Sequence, residues 1–316
     1  MLAACGGGGS SSPGAIDGNP APVLPPVSEP DVPVTYAPGS SEAAQLAFVN
    51  TELSRCGYGT FQAANDLTAA AVGHSNYMTI NGGLITHQQA DGNPDFTGLT
   101  HRERIRAAGG SAARAAESSE GIDAVFVGIR QIHNSLIAAP MHQADLLDGW
   151  SEVGVGIGSR SINGQTPEMR ILTLVYGGAK RNSVAVNGVR SFPCEGSVGI
   201  VGNGIEMPNP LPELTTYGPG LTFETNQGGS IEVEGITVVE TATGRVRPTI
   251  RVIGPLGYTL SVNQAWRATY VTTEAMLNGT AYRVEARGRT WATNNKTGPS
   301  IPWTRTYNFT TLGNPF

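Results

Sequence analysis

The sequence predicts an α+β protein: a helical layer folded on a short apolar sheet, followed by an all-β sandwich. Apolar residues recur at helical spacing only before about residue 140. Next come two strand-like runs, SEVGVGIGSR and MRILTLVYGG, joined by SINGQTPE with its Asn163-Gly164 turn signal. Beyond about Lys180 only short strand patterns bounded by turn residues remain. At 316 residues the chain is long for a single ordinary core. The expected division is a leader and linker over 1–40, a first domain over 41–180, a connector over 181–204 and the sandwich over 205–316.

The leader begins MLAACGGGGSSSPG. Its LAAC resembles a bacterial lipobox, which makes Cys5 the candidate for lipidation; a chance match is the other reading. The charged and apolar regions of an export signal do not precede it in this sequence, so the lipoprotein reading places the true start upstream. The Gly/Ser run and NPAPVLPPVSEPDVPV would then be a flexible, partly polyproline-like leash. No apolar run of transmembrane length occurs.

From Ser41 the pattern is helical, with Leu46, Val49, Leu53 and Cys56 on one side and Gly57 as the stop. A second helix carries Leu67, Ala71, His74 and Met78 as one stripe and ends at Gly82-Gly83. His74 therefore reads as a core histidine with a polar neighbour. Thr100 and Glu103 have capping-box spacing ahead of a helix that buries Ile105 and Ala108 and stops at Gly109. A longer helix is predicted over about Gly121–Leu136, with Ile122, Val125, Phe126, Ile129 and Ile132 inward. ILTLVY is nearly all apolar, so its strand is expected to be covered on both faces. In the last third, Tyr282 stands after a turn and before an alternating strand, which resembles the tyrosine corner of immunoglobulin-like and fibronectin-type folds.

Charged residues make up only 14% of the chain, and Gly, Ser, Thr, Asn and Pro are abundant, as suits a loop-rich extracytoplasmic protein. A net charge of −5 argues against nucleic acid, and no basic cluster suits anionic lipid. With Cys5 set aside, Cys56 and Cys194 form an even pair, and an oxidising compartment would favour a bond between them.

The ordered segments FVNTELSRCGYG, LTAAAVGHSNYM, ITHQQADGNPDFTGLTHRERIRAAG, AAESSEGI and PMHQADLLDGWSEVGVGIG resemble the bacterial branch of the CAP superfamily. That group includes cysteine-rich secretory proteins, wasp venom antigens and plant pathogenesis-related proteins. The resemblance covers about residues 41–178, places Asn50 and Arg55 at polar positions of the opening helix, and implies an α-β-α sandwich. It also implies a cleft with two histidines and two glutamates that in some members bind a divalent metal such as zinc. On this sequence His87 fits the first histidine, Glu117 the first glutamate and His142 a second histidine, with Gln143 where an arginine is usual. The last-strand histidine would fall near Arg170 and is absent, and no acidic residue clearly fills the second glutamate position.

Two function classes follow. His87, Glu117 and His142 would supply the three protein ligands of a catalytic zinc, or His87 and Glu117 an acid–base pair beside Ser118 or Ser119. That is the hydrolase alternative, and no nucleophile elbow supports it. The preferred expectation is a secreted or lipid-tethered module of a bacterial envelope, binding a glycan, lipid or protein through the cleft and touching a membrane only through its anchor. Trp291 and Trp303 flank RTWATNNKTGPS, a polar loop open to a glycan reading, although tryptophans of sandwiches more often pack inside.

Overall fold

The computed structural model describes residues 35–111, 116–123, 136–162, 165–180, 184–204, 206, 209–253 and 264–313. The expectations for Cys5 and the linker over 1–34 lie outside these residues. Helix α1 spans Ser41–Arg55, α2 Asn65–Ile80, α3 His101–Ala107 and α4 Pro140–Leu147. Ser40 accepts the Ala43 N–H and caps α1. The capping box of Thr100 and Glu103 starts α3 as expected.

The first sheet has the order β1-β3-β4-β2, with β1 Gln62–Ala63, β2 Ala116–Asp123, β3 Trp150–Ile162 and β4 Gln165–Lys180. β3 and β4 form the expected antiparallel hairpin, pairing Ile162 with Gln165; Asn163-Gly164 lies outside the described residues. Both faces of β4 are covered. Leu172, Leu174 and Tyr176 pack with Val49, Leu53, Val153 and Val155 on the α1 side. Val175 packs with Leu67, Ala70, Ala71 and Ile105 on the other side, and Ile171 with Tyr77 and Met78.

Close approach of α2 to the sheet is set by the glycines of VGVGIG. A Cβ at Gly154 would stand 2.0 Å from the Leu67 carbonyl carbon, at Gly156 2.3 Å from that of Ala71, and at Gly158 2.5 Å from the Ser75 oxygen. The helix backbone lies directly on the strand because these positions carry no side chain. Ser75 closes the seam: its hydroxyl donates to Gly156 O at 3.0 Å and lies 2.9 Å from Thr173 Oγ1.

One expectation is corrected. The helix predicted from Gly121 does not begin there, because Ala116–Asp123 is strand β2, paired antiparallel with Met169–Tyr176 at the sheet edge. Residues 136–138 are helical, and 124–135, with Val125, Phe126, Ile129 and Ile132, lie outside the described residues. The apolar spacing after Gly121 misplaced the boundary because short runs of this kind fit both periods.

No helix occurs past α4 among the described residues. Two sheets follow. One has the order β10-β11-β7-β5, with β5 Arg190–Phe192, β7 Leu221–Glu224, β10 Thr249–Ile253 and β11 Arg267–Thr272. The other has the order β6-β13-β12-β8-β9, with β6 Ser197–Ile200, β8 Ser230–Glu240, β9 Val246–Arg247, β12 Ala281–Trp291 and β13 Ile301–Thr311. Phe223 and Ala268 of the first share a core with Val238, Val284, Tyr307 and Phe309 of the second. Strands β5 and β6 arise within 181–204, so this segment is woven into both sheets and is more than a connector.

Tyr282 is fully buried and its hydroxyl accepts the Leu277 N–H at 2.8 Å, closing the corner that the sequence suggested. Trp303 packs against Phe223 with centroids 5.6 Å apart and is a core residue. Cys56 and Cys194 are disulfide-bonded with Cα atoms 5.4 Å apart, tying the end of α1 to the turn between β5 and β6. A closed loop of 138 residues' separation contributes about 4–5 kcal/mol in the chain-entropy treatment.

Candidate functional site

Glu117 stands on the edge strand β2, opposite Val175, on the face that α2 covers. Its side chain is almost fully buried, and three elements converge on it. Arg104 of α3 donates from Nη2 to Oε2 at 2.5 Å. His74 of α2 places Nε2 3.5 Å from Oε1, and His87 of the loop after α2 places Nδ1 3.4 Å from the same oxygen. Burial alone would raise the Glu117 carboxyl; His87, His74 and Arg104 together outweigh it and hold the group below its ordinary value.

Arg104 organises the loop as well as the charge. Its guanidinium is buried and donates to the carbonyls of Gly98, Leu99 and His87 at 3.2, 3.3 and 3.2 Å. One planar fork therefore fixes both ends of the 87–99 loop and the carboxylate beneath it. His74 is a core residue, as its stripe implied. Its Nε2–H donates to Thr86 O at 2.6 Å, and its Nδ1 accepts from the Gln89 amide at 3.2 Å. Burial keeps the His74 imidazole below its ordinary value, so it is neutral at pH 7. His87 differs: its side chain is 55% exposed, and it is the member of the cluster that meets solvent.

His142 lies on α4, which packs against β2, but its carboxylate partner is not Glu117. Its Nδ1 is 3.2 Å from Oε1 of Glu206, and the Met141 and His142 backbone N–H groups donate to the same oxygen at 2.8 Å each. One turn along α4 is Asp145, half-buried, whose carboxyl is pushed up to about 6. Burial is the main cause, Asp148 adds to it, and His142, His87 and Arg267 oppose it. Asp145 thus lies within electrostatic reach of both histidines.

Of the residues singled out in the sequence, His87 and Glu117 come together, and His142 stands in a second histidine–carboxylate pair. The side chains of Ser118 and Ser119 lie outside the described residues. Gln143, at the position where an arginine was expected, faces away toward the sandwich. It donates to Ile137 O and Gly220 O at 2.8 and 3.0 Å and accepts from Thr222 at 2.5 Å. Arg104, Asp145 and Glu206 were not legible beforehand. Glu206 opens the Pro-rich EMPNPLPE, 64 residues from His142, where no periodic pattern advertises a contact.

The group does not fit a metal ion. Glu117 spends Oε2 on Arg104 and Oε1 on two imidazoles, and His142 is held by a different carboxylate. Among the described residues no three His, Cys, Asp or Glu side chains are grouped to hold a cation. No protein-family model matches the chain, and no curated protein matches it.

Proposed function

We propose that this chain is a CAP-like cleft domain joined to an immunoglobulin-like sandwich, working outside the cytoplasm as a binding module of a bacterial envelope. The sequence resemblance over 41–178, helices on both faces of the first sheet and the tyrosine corner at Tyr282 support this layout. The Cys56–Cys194 bond favours an oxidising compartment, and lipidation of Cys5 would supply the tether.

A single observation favours binding over hydrolysis. The two carboxylates paired with His87 and His142 are already engaged, Glu117 by an arginine and one Glu206 oxygen by two helix amides, which leaves neither free to act as the base of a hydrolase. What remains open is an exposed imidazole on a rigid loop, a suitable contact for a polar ligand.

The test uses the full chain sedimented with bacterial envelope fragments. The fragments should carry the protein down and be recovered chemically unchanged. Time-dependent release of sugars, amines or fatty acids would overturn the reading. Calorimetry with zinc near neutral pH gives an independent check, with weak uptake or none expected. Tight zinc uptake abolished by His87→Ala would restore the metal-dependent hydrolase alternative.

A further inference from the structure

Helix α4 starts at a weak point. Its N-cap is Ala139, which has no side chain able to accept a hydrogen bond, and its first residue is Pro140, which has no N–H. The first backbone donors are therefore those of Met141 and His142. Both are taken by one oxygen of Glu206, a residue 5% exposed in the segment between β6 and β7 of the sandwich. That same oxygen lies 3.2 Å from Nδ1 of His142.

We infer that Glu206 is the positioning residue of His142, so that the β6–β7 connection of the sandwich completes the cleft. This rests on the reading above that His142 belongs to the binding cleft. A helix cap alone would need only the two amide contacts. The third contact does something more: it is out of hydrogen-bond alignment, but a carboxylate charge 3.2 Å from Nδ1 favours a proton there over a lone pair facing it, so the neutral ring carries its lone pair on Nε2. His87 faces Glu117 through the same ring nitrogen, there as a hydrogen bond at 3.4 Å, and the two imidazoles then share one tautomer, each beside a buried carboxylate.

The β6–β7 connection is anchored firmly enough for this task. Gly204 N–H donates to Tyr217 O at 3.0 Å, and buried Tyr217 packs with Ala144 of α4, Leu211, Val252 and Val271. Gly220 N–H donates to Ala138 O at 2.7 Å, just ahead of the helix. Arg267 of β11 donates to Ala144 O at 2.8 Å. The helix that carries His142 is thus fastened to the sandwich along its length, and Glu206 carries that docking to the imidazole.

The experiment is a two-bond proton–nitrogen correlation spectrum of the histidines in the full chain, recorded across pH. Wild-type His142 should show the Nδ1–H tautomer. Glu206→Gln keeps an oxygen for the two backbone amides and removes the charge. It should shift His142 toward the Nε2–H form, leaving the His87 tautomer as an unmoved internal control. An unchanged His142 in a folded Glu206→Gln protein would overturn the inference. If the variant does not fold, the wild-type spectrum decides, because an Nε2–H tautomer at His142 is incompatible with the proposed role. Neither result depends on finding the ligand, so failure here is separable from failure of the binding reading.

Discussion

Two of the arginine–glutamate clusters buried among the described residues differ in what lies on top of them. In the first half Arg104 and Glu117 sit beneath His87, which is more than half exposed. In the sandwich Glu224 of β7 is held by Arg267 of β11 and by Arg190 of β5, the latter at 3.0 Å. Arg190 also donates to Gly57 O at 3.3 Å and lies 3.6 Å over the Tyr58 ring, so this cluster stitches the end of α1 to the sandwich. Arg267 and Glu224 are fully inaccessible, and Arg190 is only 14% exposed. The chemistry is similar, yet one cluster is a closed joint and the other supports a group that water and ligands can reach. A buried ion pair is therefore not by itself a sign of function; the exposed partner is.

The sharpest way to break that comparison is to open the closed joint. Arg267→Met would leave Glu224 with one partner and the Ala144 carbonyl without its donor. The expected loss is about 3–5 kcal/mol in urea unfolding. Survival with an unchanged midpoint would show that Arg190 alone satisfies Glu224.

Arg104→Met should cost less, about 3 kcal/mol, because Glu117 keeps His74 and His87 beside it. Limited proteolysis should then cut within 87–99, since the guanidinium no longer holds both ends of that loop. A larger loss than that of Arg267→Met would reverse the assignment of joint and site.

The groups around the site should also answer acid in opposite senses. His74 is held below its ordinary value in the folded chain, so the unfolded chain takes the proton first as pH falls through about 6.5, and stability drops. Glu117 contributes stability above about 4.3 that is lost as pH falls through its depressed folded value. Asp145 acts in the opposite sense: raised to about 6, it protonates first in the folded state and returns stability as pH falls from there. Unfolding midpoints at pH 7.5 and 5.5 should therefore separate more in His74-containing protein than in His74→Gln, and more in Asp145→Asn than in wild type. Equal separations in all three would refute the linkage.

The smallest effect is expected at the exposed group. His87→Ala should change stability by no more than about 0.5 kcal/mol, because its ring is mostly in water. Its effect should fall on retention by envelope fragments. A large loss of stability would make His87 a packing residue of the loop.

Local order was readable in advance where one element supplies its own signal. The α1 stop at Gly57, the Thr100–Glu103 box, the β3–β4 hairpin, the core position of His74 and the strands from Leu221 onward all carry spacing that backbone geometry demands. The site was legible only in part, because its decisive contacts join distant segments. Arg104 is adjacent to inward Ile105 and looks like one more surface arginine of HRERIRA, yet its reach extends to four groups. Glu206 and Arg267 meet α4 across 64 and 123 residues. Strand β2 was missed for a related reason: AESSEGID has no apolar alternation, and its conformation comes from pairing at the edge of β4.

The glycines of VGVGIG have one more consequence, which concerns misassembly. Val153 and Val155 fill the α1 side of β3, while Gly154, Gly156 and Gly158 lie against the backbone of α2. If β3 slipped by a single residue along β4, every valine would exchange places with a glycine. Branched side chains would then be driven into a helix backbone that leaves a Cβ only 2.0–2.5 Å, and the opposite face would be left hollow. The strand thus carries its own proofreading: the wrong alignment is excluded twice, by collision on one side and by emptiness on the other.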